Sequence, residues 1–291
     1  MKISEECASC MLKRQQSRCS DPVFLQDIQQ LLDQYRTTES APEIAARFED
    51  LYTGTYGPPT DWKAVKKQYN DLVLRQEETA EREIEQSEDP LFTSILYART
   101  GNYIDFGALE QVHPEAFIRL LNQVSASKQD RETYASFLKA CESGSHFLLA
   151  ADNCGEIVLD KLMIRQLKRR FSSLTATVLV RGSETYNDAT EEDAFYVGMD
   201  REAGIITNGT AIAGTAVHTM PEESRRIFDQ ADVILAKGQG NYESLSGNGR
   251  HIFYTFLCKC DLFVRRFGVP QFTGMFIEEV PSVSPQTERD R

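Results

Sequence analysis

Residues 146–170 have the sequence HFLLAADNCGEIVLDKLMIRQLKRR, a short apolar run followed by a polar turn and a segment of helix length. Similar apolar runs lie at 174–180, 232–236 and 251–257, and amphipathic segments of helix length lie at about 155–170, 190–199 and 221–230. Apolar strands that alternate with helices are typical of a mostly parallel sheet with helices on both faces. We therefore predict an α/β domain over residues 144–280.

The chain before residue 144 has a different pattern, in which apolar residues recur at helical spacing behind helix-capping signals. This pattern predicts an all-helical N-terminal domain over residues 1–143. The tail over 281–291 is polar and rich in Pro and Ser, which predicts disorder. Four predicted helical segments begin at the capping signals Ser20-Asp21-Pro22, Ser40-Ala41-Pro42, Thr60-Asp61 and Asp89-Pro90. The third is a long helix to about Glu85, and the fourth ends near Gly101. Two further helices are predicted at about 114–125 and 128–143.

The 291 residues contain 44 Asp and Glu against 32 Lys and Arg, a formal net charge of −12. Nucleic acids and anionic membrane surfaces attract positively charged proteins, so we expect neither as a partner.

The longest apolar runs are far shorter than the roughly 18 residues of a membrane span, and the first residues lack the apolar core of a signal peptide. We therefore expect a cytoplasmic protein whose seven cysteines are reduced thiols, and the sequence does not predict its oligomeric state.

Polar side chains follow the predicted strands at the carboxyl edge of the sheet, where open α/β sheets bind ligands. Asp152 and Asn153 follow the first strand, Asp188 follows the second, and Lys237 begins a glycine-rich turn after the third. Carboxylate and amide oxygens are ligands for hard divalent cations. A lysine beside the backbone N–H groups of 238–241 would bind an anion. The set predicts a metal ion and a phosphorylated substrate at this edge.

Ordinary structural roles for the same residues stay open at this point, because Asp and Asn often cap helices and glycines often form turns. Other catalytic patterns are missing from the sequence. The run from Gly238 to Glu243 lacks the third glycine of the dinucleotide fingerprint, and no Walker A or G-x-S-x-G motif occurs. The four histidines form no zinc-type pair, and the sequence fixes none of them beside Cys154 to make it a nucleophile.

Several short motifs occur in order along most of the chain. They are Cys7-x-x-Cys10, Gly101-Asn-Tyr-Ile-Asp-Phe-Gly107, Asp152-Asn-x-Gly-Glu156, Asn187-Asp188, Ala236-Lys-Gly-Gln-Gly-Asn-Tyr-Glu243 and Lys259-Cys260. In this order the chain resembles the DUF89 proteins, also called damage-control phosphatases or ARMT1-like proteins, and in particular their stand-alone microbial branch.

The resemblance implies a helical N-terminal domain on a Rossmann-like three-layer α/β/α domain. It also implies a metal-dependent phosphatase of small metabolites, with sugar phosphates such as fructose phosphates among its substrates. Asp152, Asn153 and Asp188 match the metal ligands of the family. Lys237 matches a lysine that contacts the phosphate, and Glu156 matches a glutamate of the pocket. The implied cofactor is Mn²⁺, Co²⁺, Ni²⁺ or Mg²⁺.

We expect the metal to polarise the phosphoryl group for attack by a metal-associated water, with Glu156 or Asp188 as the proton acceptor. A phospho-aspartate on Asp152 or Asp188 stays open as an alternative. So do two other functions, a protein carboxyl methyltransferase and a non-catalytic phosphometabolite-binding protein. The predicted catalytic residues are Asp152, Glu156, Asp188 and Lys237, and the predicted substrate-binding residues are Asn153, Asn187, Lys237, Gly238 and Asn241.

The cysteines of the Cys-x-x-Cys and Lys-Cys motifs form a separate group. We expect Cys7, Cys10 and Cys260 to lie close together in space and to be dispensable for phosphate release. Three roles stay open for them: a structural zinc site that also uses Cys258 or Cys19, a redox pair, or packed thiols.

Overall fold

The computed structural model describes residues 3–105, 113–121 and 123–281. Helices make up the regular structure before residue 144, and strands alternate with helices after it. The first part contains α1 (Glu5–Arg18), α2 (Pro22–Tyr35), α3 (Ala41–Tyr56), α4 (Trp62–Leu74), α5 (Glu77–Glu85), α6 (Pro90–Gly101), α7 (Pro114–Leu121) and α8 (Lys128–Ser143). The second part contains β1 (His146–Ala150), α9 (Glu156–Arg170), β2 (Thr175–Val180), α10 (Glu191–Tyr196), β3 (Gly204–Thr207), α11 (Glu222–Gln230), β4 (Val233–Lys237), α12 (Gly238–Leu245), β5 (Ile252–Leu257), α13 (Asp261–Phe267) and β6 (Gly274–Glu279), with short 3₁₀ turns at Met199–Arg201 and Val217–Thr219.

The strands form one sheet in the order β3-β2-β1-β4-β5-β6. Strands β1 to β5 are parallel to their neighbours, and β6 runs antiparallel to β5. This confirms the predicted mostly parallel α/β fold, and the order is that of a doubly wound Rossmann-type sheet. The order reverses between β1 and β4, so their carboxyl ends flank the crevice in which such sheets bind ligands.

Both faces of the sheet are covered by helices, which gives the three layers. In β1, Phe147 and Leu149 belong to a core shared with α4 to α9, whereas Leu148 and Ala150 belong to a second core with α11, α12 and α13. This alternation follows from the two-residue repeat of a strand. Strands buried on both sides explain the nearly continuous apolar runs in the sequence.

The first three helices have an apolar core of their own. Phe24, Ile28 and Leu32 of α2 pack with Ile44 and Phe48 of α3 and with part of α1. Helices α4 to α8, in contrast, share their core with the sheet. The division at residue 143 stays a prediction, but the main apolar core crosses it. We call α1–α3 the cap; a segment at 57–61, which contains two prolines, joins it to α4.

Several helices begin at the capping signals that the sequence shows. The side chains of Asp21, Asp61 and Asp89 accept hydrogen bonds from the backbone N–H groups of the first turns of α2, α4 and α6, at 2.9, 3.1 and 3.1 Å. These bonds satisfy donors that a helix start otherwise leaves without partners.

Some predicted elements differ from the structure. The long helix predicted from residue 60 to about 85 is two helices, α4 and α5, and α1, β3 and β6 were not predicted. In the predicted tail, 282–291 lies outside the described residues, as does 106–107 of the Gly101–Gly107 motif. Among the described residues, no helix combines the length and the apolar character that crossing a membrane requires.

Candidate active site

The turns after β1 and β2 bring three of the predicted site residues together. Asn153 and Asp188 pair as an isolated antiparallel bridge, and the Ala189 N–H donates to the carbonyl oxygen of Asp152 at 2.7 Å. Asp152, Asn153 and Asp188 are 6%, 1% and 4% exposed. The predicted metal ligands therefore lie on adjacent, mutually bonded turns at the carboxyl edge of the sheet.

Hydrogen bonds fix the orientation of the Asp152 carboxylate. Its Oδ2 accepts from Asn153 Nδ2 at 2.7 Å and from Asn102 Nδ2 at 2.9 Å. Its Oδ1 accepts from Arg181 Nη2 at 3.2 Å. Since the amide nitrogen of Asn153 is used in this way, its Oδ1 is left as an acceptor, and this buried oxygen has no hydrogen-bond partner among the described residues.

The turn between β4 and α12 packs directly on the same carboxylate. Gly238 has φ +79°, and a Cβ atom placed on it would lie 1.9 Å from Asp152 Oδ2. A side chain at this position would occupy the space of the carboxylate. Gly238 is therefore required by a close approach and by its backbone conformation together.

The carboxylates outnumber the cations that face them. Burial raises the pKa of Asp152 well above its usual value, the charges of Asp188, Glu156 and Asp105 add to this, and Arg181 opposes it. Burial also raises the pKa of Asp188 to about 6, again against the effect of Arg181. A site with this excess of negative charge is stabilised by a bound cation.

The donor set fits a hard divalent cation. Among the described residues no three His, Cys, Asp or Glu side chains are arranged to hold a metal ion, so an all-acidic or thiolate site is not formed there. The set consists instead of two carboxylates and the unpartnered amide oxygen of Asn153. Oxygen ligands that leave positions for water and substrate suit Mg²⁺ or Mn²⁺.

Lys237 makes its contacts inside the protein, and its expected contact with the phosphate stays a prediction. Its fully buried ammonium donates to Ala98 O at 3.0 Å, Glu156 Oε1 at 2.5 Å and Asp160 Oδ1 at 2.7 Å. An ammonium has three N–H donors, and all of them are used inside the protein. Lys237 therefore ties β4 to α9 and α6 beneath the site.

Glu156 belongs to the same buried network. Its Oε1 accepts from Lys237, and its Oε2 accepts from Asn102 Nδ2 at 3.0 Å. The side chain is not exposed at all. These contacts make Glu156 a support for the site, and its expected role as proton acceptor stays a prediction.

Asn187 and Asn241, expected to bind substrate, are also fully buried and bond to the protein. Asn187 Nδ2 donates to Ile104 O at 3.0 Å. Asn241 Nδ2 donates to Lys237 O at 2.7 Å and to Ala151 O at 3.0 Å, and its Oδ1 accepts from Arg181. Both amides hold the surrounding turns in place.

Sequence reasoning assigned no role to four residues that the structure places at the site: Asn102, Asp105, Arg181 and Lys259. Arg181 Nε donates to Asp188 Oδ2 at 2.7 Å, and Lys259 Nζ donates to Asp105 Oδ2 at 2.5 Å. The available signals were an arginine directly after an apolar strand and the family motifs that contain Asn102, Asp105 and Lys259. Neither signal indicates where the side chain points.

The proximity of Cys7, Cys10 and Cys260 stays a prediction, and the electrostatics of Cys7 support it. Burial raises the pKa of the Cys7 thiol to about 12, and the charges of Glu243, Cys260 and Cys10 add to this. A zinc site is not formed by the described residues.

Cys154 is fully buried, which raises the pKa of its thiol and opposes a nucleophilic role.

The model of the damage-control phosphatase ARMT1-like domain matches residues 3–274. The chain belongs to this family. Within it, a protein of Archaeoglobus fulgidus named damage-control phosphatase is 31% identical over 92% of this chain and 96% of its own length. A damage-control phosphatase of Pyrococcus horikoshii is 27% identical over 93% and 96%. The crystal structure of a DUF89 protein from P. horikoshii superposes with a TM-score of 0.76 at 24% identity, over 95% of this chain and 99% of that one, which shows the shared fold.

Proposed function

We propose that this protein is a metal-dependent phosphatase that hydrolyses phosphomonoesters of small metabolites in metabolite damage control, sugar phosphates such as fructose phosphates among them. The observation that carries the proposal is the group of Asp152, Asn153 and Asp188 with the unpartnered Asn153 Oδ1. The names of the curated relatives support the reaction class.

Asp152, Asn153 and Asp188 would hold the metal, which supplies a Lewis acid for the phosphoryl oxygens and lowers the pKa of bound water. We assign the phosphate contact to Lys259, whose side chain is as buried as that of Lys237 but has fewer partners among the described residues. Among the described residues its ammonium donates to Asp105 alone, so two N–H groups remain for phosphoryl oxygens.

We assign the proton of the attacking water to Asp105. Its side chain is 15% exposed, whereas that of Glu156 is 0% exposed and has donors on both oxygens. Asp105 also lies near the metal ligands, because its charge raises the pKa of both Asp152 and Asp188.

The test is phosphate release from a panel of sugar phosphates after EDTA treatment, with Mn²⁺, Co²⁺, Ni²⁺ or Mg²⁺ added back. Asp188→Asn removes a ligand charge and is expected to lower metal-dependent turnover at least about 100-fold. The matched control is Asp130→Asn, which breaks the buried Arg99–Asp130 pair at 2.7 Å away from the site. This control is expected to lose stability and to keep the turnover of the folded protein.

Two lysine variants separate the roles assigned above. Lys259→Met is expected to lose about 100- to 1,000-fold in turnover, the scale for one charge-stabilising donor, while Lys237→Met is expected mainly to destabilise the fold. Turnover of Asp188→Asn at the wild-type level would refute the assignment. Binding of sugar phosphate without release would indicate a non-catalytic protein.

A further inference from the structure

Arg181 is a buried cation in contact with both carboxylates of the proposed metal site. Its side chain is 0% exposed. Nε donates to Asp188 Oδ2 at 2.7 Å, and Nη2 donates to Asp152 Oδ1 at 3.2 Å. Nη1 donates to Asn241 Oδ1 at 3.2 Å. All three nitrogens of the planar guanidinium are therefore engaged, and its orientation is fixed.

A permanent positive charge beside a metal site requires an explanation, since it repels the cation. Arginine stays protonated even when it is buried. Its ion pairs with Asp152 and Asp188 offset part of the negative charge that attracts a metal ion. Without Arg181, both carboxylates would face each other in a buried site with no neighbouring cation in contact.

The hydrogen bonds of Arg181 also use only one oxygen of each carboxylate. Asp188 uses Oδ2 for Arg181, and among the described residues its Oδ1 has no hydrogen-bond donor. Asn241, which fixes the far side of the guanidinium, is itself held by Lys237 O and Ala151 O. The guanidinium therefore holds both carboxylates on a rigid support.

We propose that Arg181 is a positioning residue that serves as the internal counter-cation of the metal site. It holds Asp152 and Asp188 aligned before the metal arrives, and its charge lowers the affinity so that the metal exchanges. This inference rests on the metal dependence in the proposed function, and it adds a role that the ligands themselves do not perform.

The test uses thermal unfolding of the whole protein in EDTA and with Mn²⁺ added in excess. Arg181→Gln is expected to have a lower Tm than the wild type in EDTA, because two buried carboxylates lose their cation. Its Tm is expected to rise with Mn²⁺ at least twice as much as that of the wild type, because the metal replaces the missing charge. Arg181→Lys keeps the charge and is expected to return both values toward the wild type.

Arg99→Gln is the matched control. Arg99 is a buried arginine whose side chain is 7% exposed and which pairs with Asp130 at 2.7 Å. This variant is expected to lose stability in EDTA and to show the wild-type response to Mn²⁺. If Arg181→Gln does not fold in EDTA, it is purified with Mn²⁺, and its loss of structure on chelation is compared with that of Arg181→Lys.

The outcomes separate the two proposals. A wild type whose Tm does not respond to any of the four metals would overturn the metal dependence of the proposed function. A wild type that responds, together with an Arg181→Gln variant whose response is equal or smaller, would overturn the role of Arg181 alone.

Discussion

At the scale of single residues, Gly238 packs directly against the carboxylate of Asp152. A Cβ atom there would lie 1.9 Å from Asp152 Oδ2, so Gly238→Ala must turn that carboxylate away from Asn102 and Asn153. We expect the variant to lose the metal-induced rise in Tm and most phosphate release. Thermal unfolding with and without Mn²⁺ and a phosphate-release assay measure both effects.

Gly247→Ala is the matched control for that substitution. Gly247 has φ +83°, close to the +79° of Gly238, but a Cβ atom on it would meet nothing within 4 Å. The backbone strain is then similar, about 1–2 kcal/mol, while the clash is missing. Equal loss of the metal response in both variants would mean that strain, and not the contact with Asp152, is responsible.

Part of the site could be predicted from the sequence at this scale. The proximity of Asp152, Asn153 and Asp188 followed from parallel strands, whose carboxyl ends share one edge. The buried ion pairs of Lys237 could not be predicted, because a sequence does not show that Glu156 and Asp160, four residues apart on α9, lie beneath the end of β4. The inward direction of the Arg181 side chain could not be predicted for the same reason, since its hydrogen-bond partners lie on elements that are distant in sequence.

At the scale of elements, the contact between α9 and β4 gives the protein an unusual pH dependence. Burial raises the pKa of Asp160 to about 7, although Lys237 opposes this. In the unfolded chain an aspartate has a pKa of about 3.9. The folded state therefore binds more protons between about pH 4 and 7, and this group makes the free energy of unfolding fall as the pH rises through that window.

Asp160→Asn is expected to remove that fall, which for one proton is at most about 1.4 kcal/mol per pH unit. Urea unfolding in EDTA at several pH values from 4.5 to 8 measures it, and the difference between variant and wild type isolates this group. Asp50→Asn, at an exposed position of α3, is the control. Parallel curves for the wild type and Asp160→Asn would contradict the prediction.

The elements that sequence reasoning missed have weak local signals. β3 has only four residues, and β6 has the sequence GMFIEE, which mixes apolar and acidic residues because it pairs on one side only. The division of the predicted 60–85 helix falls at Arg75 and Gln76, whose backbones both have αR conformations. A break between two helices that contains no glycine or proline cannot be recognised from composition.

At the scale of the whole molecule, the separate core of the cap predicts separate stability. Phe48 is 1% exposed in the cap core, and Phe147 is 1% exposed in the core shared with the sheet. Phe48→Ala is expected to cost about 3–5 kcal/mol within the cap and to speed hydrogen exchange in α1–α3. Protection of β1 and β4 is expected to stay at the wild-type level.

Hydrogen exchange with mass spectrometry measures this, and Phe147→Ala is the matched control. Because Phe147 belongs to the core shared by the sheet and α4 to α9, its truncation is expected to lower protection in those elements. If Phe48→Ala lowers protection of β1 and β4 as strongly, the cap and the sheet unfold as a single cooperative unit.

The ion pairs of Lys237 also impose an order on folding during synthesis. Glu156 and Asp160 leave the ribosome 81 and 77 residues before their lysine. Until Lys237 has emerged, a nascent chain that packed α9 against β1 would bury two carboxylates without a counter-ion. We therefore expect α9 to stay undocked on the ribosome until β4 has been released, so that both halves of the sheet are completed together.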